Sequence, residues 1–394
     1  MTSPSIRTRR GAALAFVVVA IAAACTSEPD NAAAPTATSP SQQAPQEQRA
    51  CQAALPAAWQ QAIESNRVDA GGSTMALAVG RAGEVVAVRD NGDTRDLLLI
   101  GADKSVKPIY GVPEPNRNDV GFAAIDDRWI VVGIDRIPRG ANGVLPTLFQ
   151  IDLIDRSGGA VRTVVKSSED DYGTGGPTID SVALFDGKVY WITHEKYASS
   201  NGTMRSYDVN TGAIAEVKAG SMDSVRASAV GVTALVDRDS KRKPWERAEV
   251  ITPAQLPTPV ADAVGTGPDR LSLTTDGNAY AWFTGVDHGV SGVAWWSPES
   301  GLVRVTGDAV GGWDGIRPIW VMGPYVVSGI GRQETDTWTT VIDTRSGAVV
   351  NLGPWAVGAD GGTIALSAQH GPGGKAAPTS AVVLRADQLP PLTC

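Results

Sequence analysis

The chain has 394 residues, including 44 glycines and 25 prolines, and carries a formal net charge of −8 at pH 7 with a pI near 5.0. This acidic balance argues against a nucleic-acid partner, which requires a basic surface. Frequent glycine and proline, β-branched apolar runs and little helical periodicity favour an all-β protein, and the length is ample for a large core.

Residues 1–25 have the form of an export signal. Three arginines precede the apolar run GAALAFVVVAIAAA, which is too short for a comfortable membrane span. The stretch AIAAAC resembles a bacterial lipobox, in which the cysteine becomes the lipidated first residue, although Ala22 stands where that motif usually has Leu. The resemblance implies lipidation of Cys25 and an extracytoplasmic, membrane-anchored protein. An ordinary secretory signal is the alternative. The sequence leaves open whether export follows the general or the twin-arginine route.

A polar segment and two cysteines frame the part of the chain that is predicted to fold. Residues 26–50 are rich in Ala, Pro, Ser, Thr and Gln, which predicts a disordered tether. Cys51 and Cys394 stand at the two ends of the predicted folded region, 51–394. In an exported protein such a pair predicts a disulfide, which here would join the chain ends as a circular fold requires.

One helix is predicted, at the start of the folded region. In residues 55–66, LPAAWQQAIESN, Pro56 suits the first helical position, and Leu55, Trp59 and Ile63 share one face. We expect this short helix to pack on the strands that follow and to hold the first of the two cysteines near the C-terminus.

The remaining sequence repeats one pattern of four short strands. In residues 270–305, alternation places Ala281 and Phe283 on one face of a strand and Tyr280 and Trp282 on the other, with glycine-containing turns between strands. A sheet of this kind has two apolar faces and needs a neighbour on each side. The pattern recurs about every 40–55 residues, a spacing typical of propeller blades. The seven predicted units are 73–112, 119–168, 178–219, 224–264, 268–308, 314–354 and 355–394.

These units predict a seven-bladed β-propeller with a short N-terminal helix, with six or eight blades as alternatives. The combination of export signal, tether and propeller resembles the propeller lipoproteins of bacterial envelopes, in the broad sense of TolB-like and YVTN-like propellers. The resemblance covers the whole chain and rests on architecture, because blade motifs such as NTGAI and RSGAV mark turns and carry no chemistry. It implies a location at the cell envelope.

The candidate binding face consists of loops at one end of the propeller. Loops from strand four to the next blade and from strand two to strand three share that end, where we expect the ligand. Its candidate residues are Asp170, Asp171, His194, Trp245, His288, Trp313, Asp314 and Arg332. Tryptophan beside carboxylates suits a sugar or peptide groove. The histidines belong to blades that are not neighbours, which argues against a shared metal or acid–base cluster.

One acidic loop offers a possible cation site. Glu169, Asp170 and Asp171 precede the glycine-rich stretch YGTGG, so their oxygens could bind a cation such as calcium. The run lacks the spacing of an EF-hand, and a solvated acidic loop is the alternative. We predict no other cofactor.

The sequence contains no nucleophile motif, no zinc-protease motif and no phosphate-binding loop. We therefore predict a monomeric binding protein, with an envelope protein, peptide or glycan as its partner, and the question of an enzymatic activity stays open. A carbohydrate-active hydrolase or lyase is the first alternative, because dispersed carboxylates leave no local signature. A structural envelope module without a small-molecule ligand is the second.

Overall fold

In a computed structural model, the described part of the chain is an all-β, seven-bladed propeller with two short α-helices. Neither of these helices is long and apolar enough to cross a membrane. The structure describes residues 44–139, 148–158, 161–169, 178–194, 201–228, 231–236, 247–251, 256–265, 271–286, 289–310, 319–332, 336–353, 355–360, 362–368 and 380–394.

The N-terminal segment, residues 44–69, precedes the first blade. It contains β1 (Gln46–Arg49), β2 (Cys51–Gln52), α1 (Ala57–Ser65) and β3 (Arg67–Asp69). Blades one and two are antiparallel sheets whose four strands follow the order of the sequence. Blade one is β4 (Ser73–Val79), β5 (Val85–Asp90), β6 (Arg95–Ile100) and β7 (Val106–Gly111), and blade two is β8 (Asn118–Ile125), β9 (Trp129–Arg136), β10 (Leu148–Asp155) and β11 (Arg162–Lys166).

Blades three and four share one long strand. Blade three is β12 (Thr178–Phe185), β13 (Lys188–His194), β14 (Asn201–Asp208) and the first part of β15 (Ile214–Ser228). The second part of β15 is the innermost strand of blade four, where it pairs with β16 (Gly231–Val236), followed by β17 (Arg247–Val250). The helix α2 (Thr258–Gly265) comes next, where the sequence predicts a fourth strand, so that prediction is wrong.

Blades five to seven each receive a strand from the N-terminal segment. Blade five consists of β18 (Leu271–Thr275), β19 (Tyr280–Val286), β20 (Gly289–Ser297) and β21 (Gly301–Thr306). Blade six consists of β22 (Ile319–Met322), β23 (Tyr325–Arg332), β24 (Asp336–Asp343) and β25 (Ala348–Gly353). Blade seven has three strands of its own, β26 (Trp355–Asp360), β27 (Thr363–Ala368) and β28 (Ser380–Arg385). Strand β1 adds parallel to β21, β2 adds parallel to β25, and β3 adds antiparallel to β28. The fourth strand of blade seven is therefore β3, so the prediction that the seventh unit lies wholly within 355–394 is wrong. After β28 the chain forms a single 3-10 turn, Ala386–Gln388.

In the part of the chain that the structure describes, seven apolar clusters, one between each pair of adjacent blades, close the ring. The alternation predicted in blade five accounts for two of them. Ala281 and Phe283 pack against blade six, whereas Tyr280 and Trp282 pack against α2 of blade four. Blades seven and one meet in a further cluster that includes Val68 of β3. Each sheet thus buries both faces against its neighbours, which is the reason that one unit is not stable alone.

The two ends of the chain meet beside blade six. Trp59 of α1 is fully buried, packs edge-to-face on Tyr325 with 5.3 Å between ring centroids, and donates its indole N–H to the carbonyl oxygen of Pro390. The buried carboxylate of Asp343 accepts hydrogen bonds from the Arg345 guanidinium, at 2.6 and 2.8 Å, and from the Leu392 amide at 2.9 Å. These contacts fix the last residues on the same blade that receives β2.

The predicted disulfide and the predicted helix are both present. Cys51 and Cys394 are bridged, with Cα atoms 6.0 Å apart. The helix α1 begins one residue later than predicted, with Pro56 as its N-cap, and it buries Trp59 and Ile63. The predicted end of the tether at residue 50 is wrong, because Gln46–Arg49 form β1, while Cys25 and most of the tether lie outside the described residues.

Gly347 shows how closely the N-terminal segment lies on blade six. It has a φ of +75°, and a Cβ at this position would lie 2.7 Å from the carbonyl oxygen of Arg49. A side chain here would therefore be strained by the backbone conformation and would clash with a backbone atom. Gly347 therefore permits both the positive φ of the turn and the close approach of the N-terminal segment.

Candidate binding site in the central channel

The innermost strands of six blades enclose a cavity of about 790 Å³ in the central channel. Its lining comes from the C-terminal parts of β4, β8, β12, β15 and β18, with Trp320 of β22. We call this end of the channel, where the first strand of each blade turns into the second, the turn mouth. The opposite end, which carries the predicted binding face, is the loop mouth.

The cavity wall changes character around the ring. Blades one and two contribute mostly apolar residues, such as Leu77 and Phe122. Blades three to six contribute hydroxyl groups together with a guanidinium and an indole; these residues are Ser181, Ser224, Ser228, Thr233, Thr274, Thr275, Arg226 and Trp320. A cavity with one apolar wall and a few converging polar groups is the usual form of a small-ligand site.

Arg226 reaches across the cavity from blade four to blade six. Its guanidinium carbon lies 5.9 Å from the centre of the Trp320 ring, within the range of a cation–π contact. The strand register shifts between Asp223 and Arg226, and Ser224 has a φ of +51°, which is uncommon for a residue with a side chain. The Val225 amide donates to the Ser181 hydroxyl at 2.7 Å and fixes this bulge on blade three. The bulge thus directs Arg226 toward the channel.

Charged residues surround the turn mouth. Arg81, Asp126, Asp127 and Asp186 line it and belong to the first turns of blades one, two and three. The side chain of Asp126 folds into its own turn and accepts the amides of residues 128 and 129 at 2.8 and 2.6 Å. Asp127 and Asp186 are exposed. The rim therefore presents more negative than positive charge to an entering ligand.

A buried ion pair holds two of these turns together. Arg156, from the last turn of blade two, contacts Glu84 at 2.6 Å and also donates to the carbonyl oxygen of Asp126. Glu84 is 7% exposed and follows Arg81 in the first turn of blade one. A charged pair removed from water in this way requires good geometry on both sides, so it fixes the spacing of the two turns.

Most residues of the predicted binding face lie outside the described residues. These are Asp170, Asp171, Trp245, His288, Trp313 and Asp314, and the side chain of Arg332, at the end of β23, is likewise not described. His194 is described, and the expectation that it projects from a loop is wrong. It ends β13, is 6% exposed, and its Nδ1 lies 3.2 Å from the carbonyl oxygen of Asn201, to which it donates.

Glu169 is part of an ion-pair network at the loop mouth. Its carboxylate contacts Arg136 at 2.7 Å and Arg117 at 3.3 Å, and it accepts the Arg139 amide at 3.1 Å. The pKa of Glu169 is lowered by that amide and by the two guanidinium groups, and Glu114 bonds Arg117 and Arg139 in turn. This carboxylate is thus a partner of arginines, and the described residues contain no group of three or more acidic, histidine or cysteine side chains that could hold a metal.

Two carboxylates near the same mouth stand in different environments. Asp119 and Asp135 are opposite each other on β8 and β9. Burial and the charge of Asp119 raise the pKa of Asp135 to about 6, whereas Asp119 is exposed and lies 3.2 Å from Arg95. Gly121 leaves room for the Asp135 carboxylate, which a Cβ there would approach to 2.9 Å.

This raised pKa predicts a pH-dependent cost. Because the folded state holds the Asp135 proton more tightly than the unfolded chain, the cost is absent below the unfolded pKa of about 3.9 and is complete above the folded pKa of about 6. We expect Asp135→Asn to raise the melting temperature at pH 7.5, with a gain that shrinks as the pH falls toward 4. Differential scanning fluorimetry beside the exposed control Asp93→Asn checks this, and a gain that is independent of pH would contradict it.

No protein-family model and no curated protein matches this chain. Among solved structures, a puromycin-hydrolysing peptidase of Mycobacterium tuberculosis is 16% identical, with a TM-score of 0.45, over 72% of this chain and 45% of that one. An oligogalacturonate lyase of Vibrio parahaemolyticus is 12% identical, with a TM-score of 0.47, over 79% and 90%. A prolyl endopeptidase is 12% identical, with a TM-score of 0.48, over 84% and 49%.

The chain therefore spans about half the length of these two peptidases. Similarities of this size concern the overall fold and say nothing about what the chain binds. The site must be argued from its own residues.

Proposed function

We propose that this chain is an exported, membrane-tethered propeller that binds a protein, peptide or glycan at the cell envelope, with the ligand seated in the central channel. The cavity at the turn mouth carries this proposal. Its volume of about 790 Å³ is that of a small-ligand site, and it brings an indole, a guanidinium and several hydroxyls to one space. These groups suit recognition of a polar ligand.

The export signal and the lipobox-like sequence support the location. A lipid on Cys25 and the polar segment that follows would hold the propeller near the membrane, where an envelope partner is accessible. The architecture of signal, tether and propeller also resembles that of TolB-like and YVTN-like envelope propellers. The acidic net charge is compatible with this location and argues against a nucleic-acid partner.

Crosslinking of the full-length protein in intact cells, followed by pull-down, tests the proposal. Two double variants compare the ends of the channel: Arg226→Ala with Trp320→Ala for the turn mouth, and Asp170→Ala with Trp313→Ala for the predicted binding face at the loop mouth. We expect a reproducible partner that is lost in the turn-mouth variant. If the partner is lost only in the loop-mouth variant, the binding site is instead the face predicted from the sequence.

A partner that persists in both variants, or no captured partner at all, would contradict binding through the channel. Melting temperatures of all variants, measured beside the unchanged protein, separate lost binding from lost folding. Membrane fractionation of Cys25→Ala serves as the test of the anchor, because this variant should leave the membrane fraction if lipidation is correct.

A hydrolase or lyase acting on glycans is the second candidate, and Asp135 favours it. A buried carboxyl group with a raised pKa beside a second, exposed carboxyl group is an arrangement that acid–base cleavage of glycosides uses. This function predicts turnover of a glycan panel that Asp135→Asn abolishes without loss of folding. Turnover that survives this variant would remove the pair from consideration.

A further inference from the structure

We propose that the channel cavity binds a peptide segment in an extended conformation, whose main chain pairs with the inner edge of β8. This inference rests on the proposed function and names the ligand class of that same site. Strand β8 ends its sheet on the channel side, so within the described residues no strand lies beside this edge. The cavity lining includes the consecutive residues 122–127. Because successive side chains of a strand point to opposite faces, such a run indicates that the backbone edge faces the cavity.

The side chains of this stretch pack on the neighbouring blades. Phe122 and Ala124 lie against the cluster that blade two shares with blade three, whereas Ala123 and Ile125 lie against the cluster shared with blade one. All four residues are nevertheless partly exposed. What β8 presents to the channel is therefore its main chain.

The hydrogen-bond pattern shows which main-chain groups face the channel. The Asp126 amide donates to the carbonyl oxygen of Trp129 at 3.0 Å, so these two residues form a hydrogen-bonded pair. Hydrogen-bonded and non-hydrogen-bonded pairs alternate along antiparallel strands, so Ala124 also bonds β9, whereas Ala123 and Ile125 direct their N–H and C=O groups away from it. The described residues provide no other main-chain partner for these groups. An incoming strand would find two donors and two acceptors there.

The inner edges of the neighbouring blades are less available. The Ala76 amide of β4 donates to the Ser367 hydroxyl at 3.1 Å, and the Val225 amide of β15 donates to the Ser181 hydroxyl at 2.7 Å. In β12, residues 182–184 are buried. Among the described residues of these four strands, β8 alone has neither restriction. The edge of β8 is therefore the best site for main-chain pairing.

The chain itself shows that blade edges accept extended segments. Strand β1 adds parallel to β21 although its sequence, QEQR, is mostly exposed and has no apolar alternation. Main-chain hydrogen bonds supply the affinity in strand addition, and neighbouring side chains select the residues of the ligand. Leu77 and Phe122 line the cavity and favour apolar or β-branched ligand side chains. A glycan lacks the alternating N–H and C=O groups of a strand, so the observations favour a peptide.

Binding of N-methylated peptides to the full-length protein in detergent tests this inference. The parent probe is the uncharged pentapeptide acetyl-Thr-Val-Thr-Val-Thr-amide, and chitotetraose is the glycan probe. N-methylation of the three central residues removes donors on both edges of the peptide and should weaken binding by about tenfold or more in isothermal titration calorimetry. N-methylation of the two valines alone leaves one edge intact, so that analogue should bind within a few-fold of the parent.

A proline variant assigns the effect to β8. Ala123→Pro removes an amide that faces the channel and leaves the bonds to β9 in place, as proline does on edge strands. It should weaken binding of the parent peptide by about tenfold or more. Lys166→Pro is the matched control on the outer edge of the same blade and should bind the peptide as the unchanged protein does. Because the Ser167 amide donates to the carbonyl oxygen of Phe149, the Lys166 amide faces away from the sheet.

The outcomes separate this inference from the proposed function. No binding of the parent peptide at millimolar concentration, equal affinity for the analogue methylated at three residues, or full binding by Ala123→Pro overturns the inference. A partner captured in cells that is lost in the turn-mouth variant and retained by Ala123→Pro also overturns it, while the proposed function stands. The same holds for binding of chitotetraose, without the peptide, that Trp320→Ala abolishes. If Ala123→Pro does not fold, the methylated peptides decide alone.

Discussion

Replacing Cys51 and Cys394 with serine is expected to lower the free energy of unfolding by about 5 kcal/mol, the upper end of what one disulfide contributes. The bridge joins residues 343 positions apart, so its loss releases almost the whole folded chain in the unfolded state. In the folded state the two ends remain side by side, because β2 still pairs with β25 and the Leu392 amide still bonds Asp343. The effect therefore comes mostly from the unfolded chain.

Denaturant unfolding, followed by tryptophan fluorescence, measures this effect on the full-length protein. The reduced, unchanged protein should unfold at the midpoint of the double variant, and the double variant should not respond to reductant. An unfolding midpoint that is the same with and without the bridge would show that the unfolded chain is already compact enough to keep its ends together.

Trp59→Ala is expected to cost about 4 kcal/mol, in the range found when a buried tryptophan is truncated. The side chain is fully buried and connects three parts of the chain: α1, Tyr325 of blade six, and the carbonyl oxygen of Pro390 near the C-terminus. Truncation leaves a cavity and removes the hydrogen bond. The cost includes Tyr325, which loses its edge-to-face partner and keeps its contacts to the C-terminal carbonyl oxygens.

A graded control separates packing from hydrogen bonding at this position. Trp59→Phe keeps most of the ring contact and removes only the N–H donor, so it should cost about 1 kcal/mol beyond the small change in volume. Because Trp59 and the disulfide hold the same two ends together, their effects should be non-additive in a double-mutant cycle. A Trp59→Phe cost equal to that of Trp59→Ala would mean that the hydrogen bond, rather than packing, dominates.

The blades could be predicted from sequence because their signals are local. Glycine-containing turns end strands at fixed positions, and alternation assigns Phe283 and Trp282 to opposite faces without knowledge of the neighbours. The β1 strand gave no such signal, since QEQR has no apolar alternation and its place is set by the free edge of β21. The α2 helix was equally hidden, because the apolar residues of this short segment suit a strand as well as a helix.

The cavity was beyond sequence analysis for a different reason. Each blade contributes only a few residues to it, so no spacing along the chain joins Arg226 to Trp320, which lie two blades apart. The acidic loop could be recognised in the sequence, but its ion pairs could not, because the arginines that pair with Glu169 come from the preceding loop and hairpin. The bulge at Ser224, which positions Arg226, also leaves no signal in the sequence, because its positive φ is visible only in the structure.

The partner strands of the N-terminal segment belong to the last three blades of the chain. Gln46 pairs with Val303 and Arg67 with Val382, so β1 has no partner until blade five is present, and β3 has none until nearly all of the polypeptide is present. At roughly 5–20 residues per second, this interval amounts to tens of seconds. The ring therefore closes only at the end of synthesis. A chain truncated before blade seven would leave β3 without its partner strand, and one truncated before blade five would leave β1, β2 and β3 exposed, each a substrate for proteases.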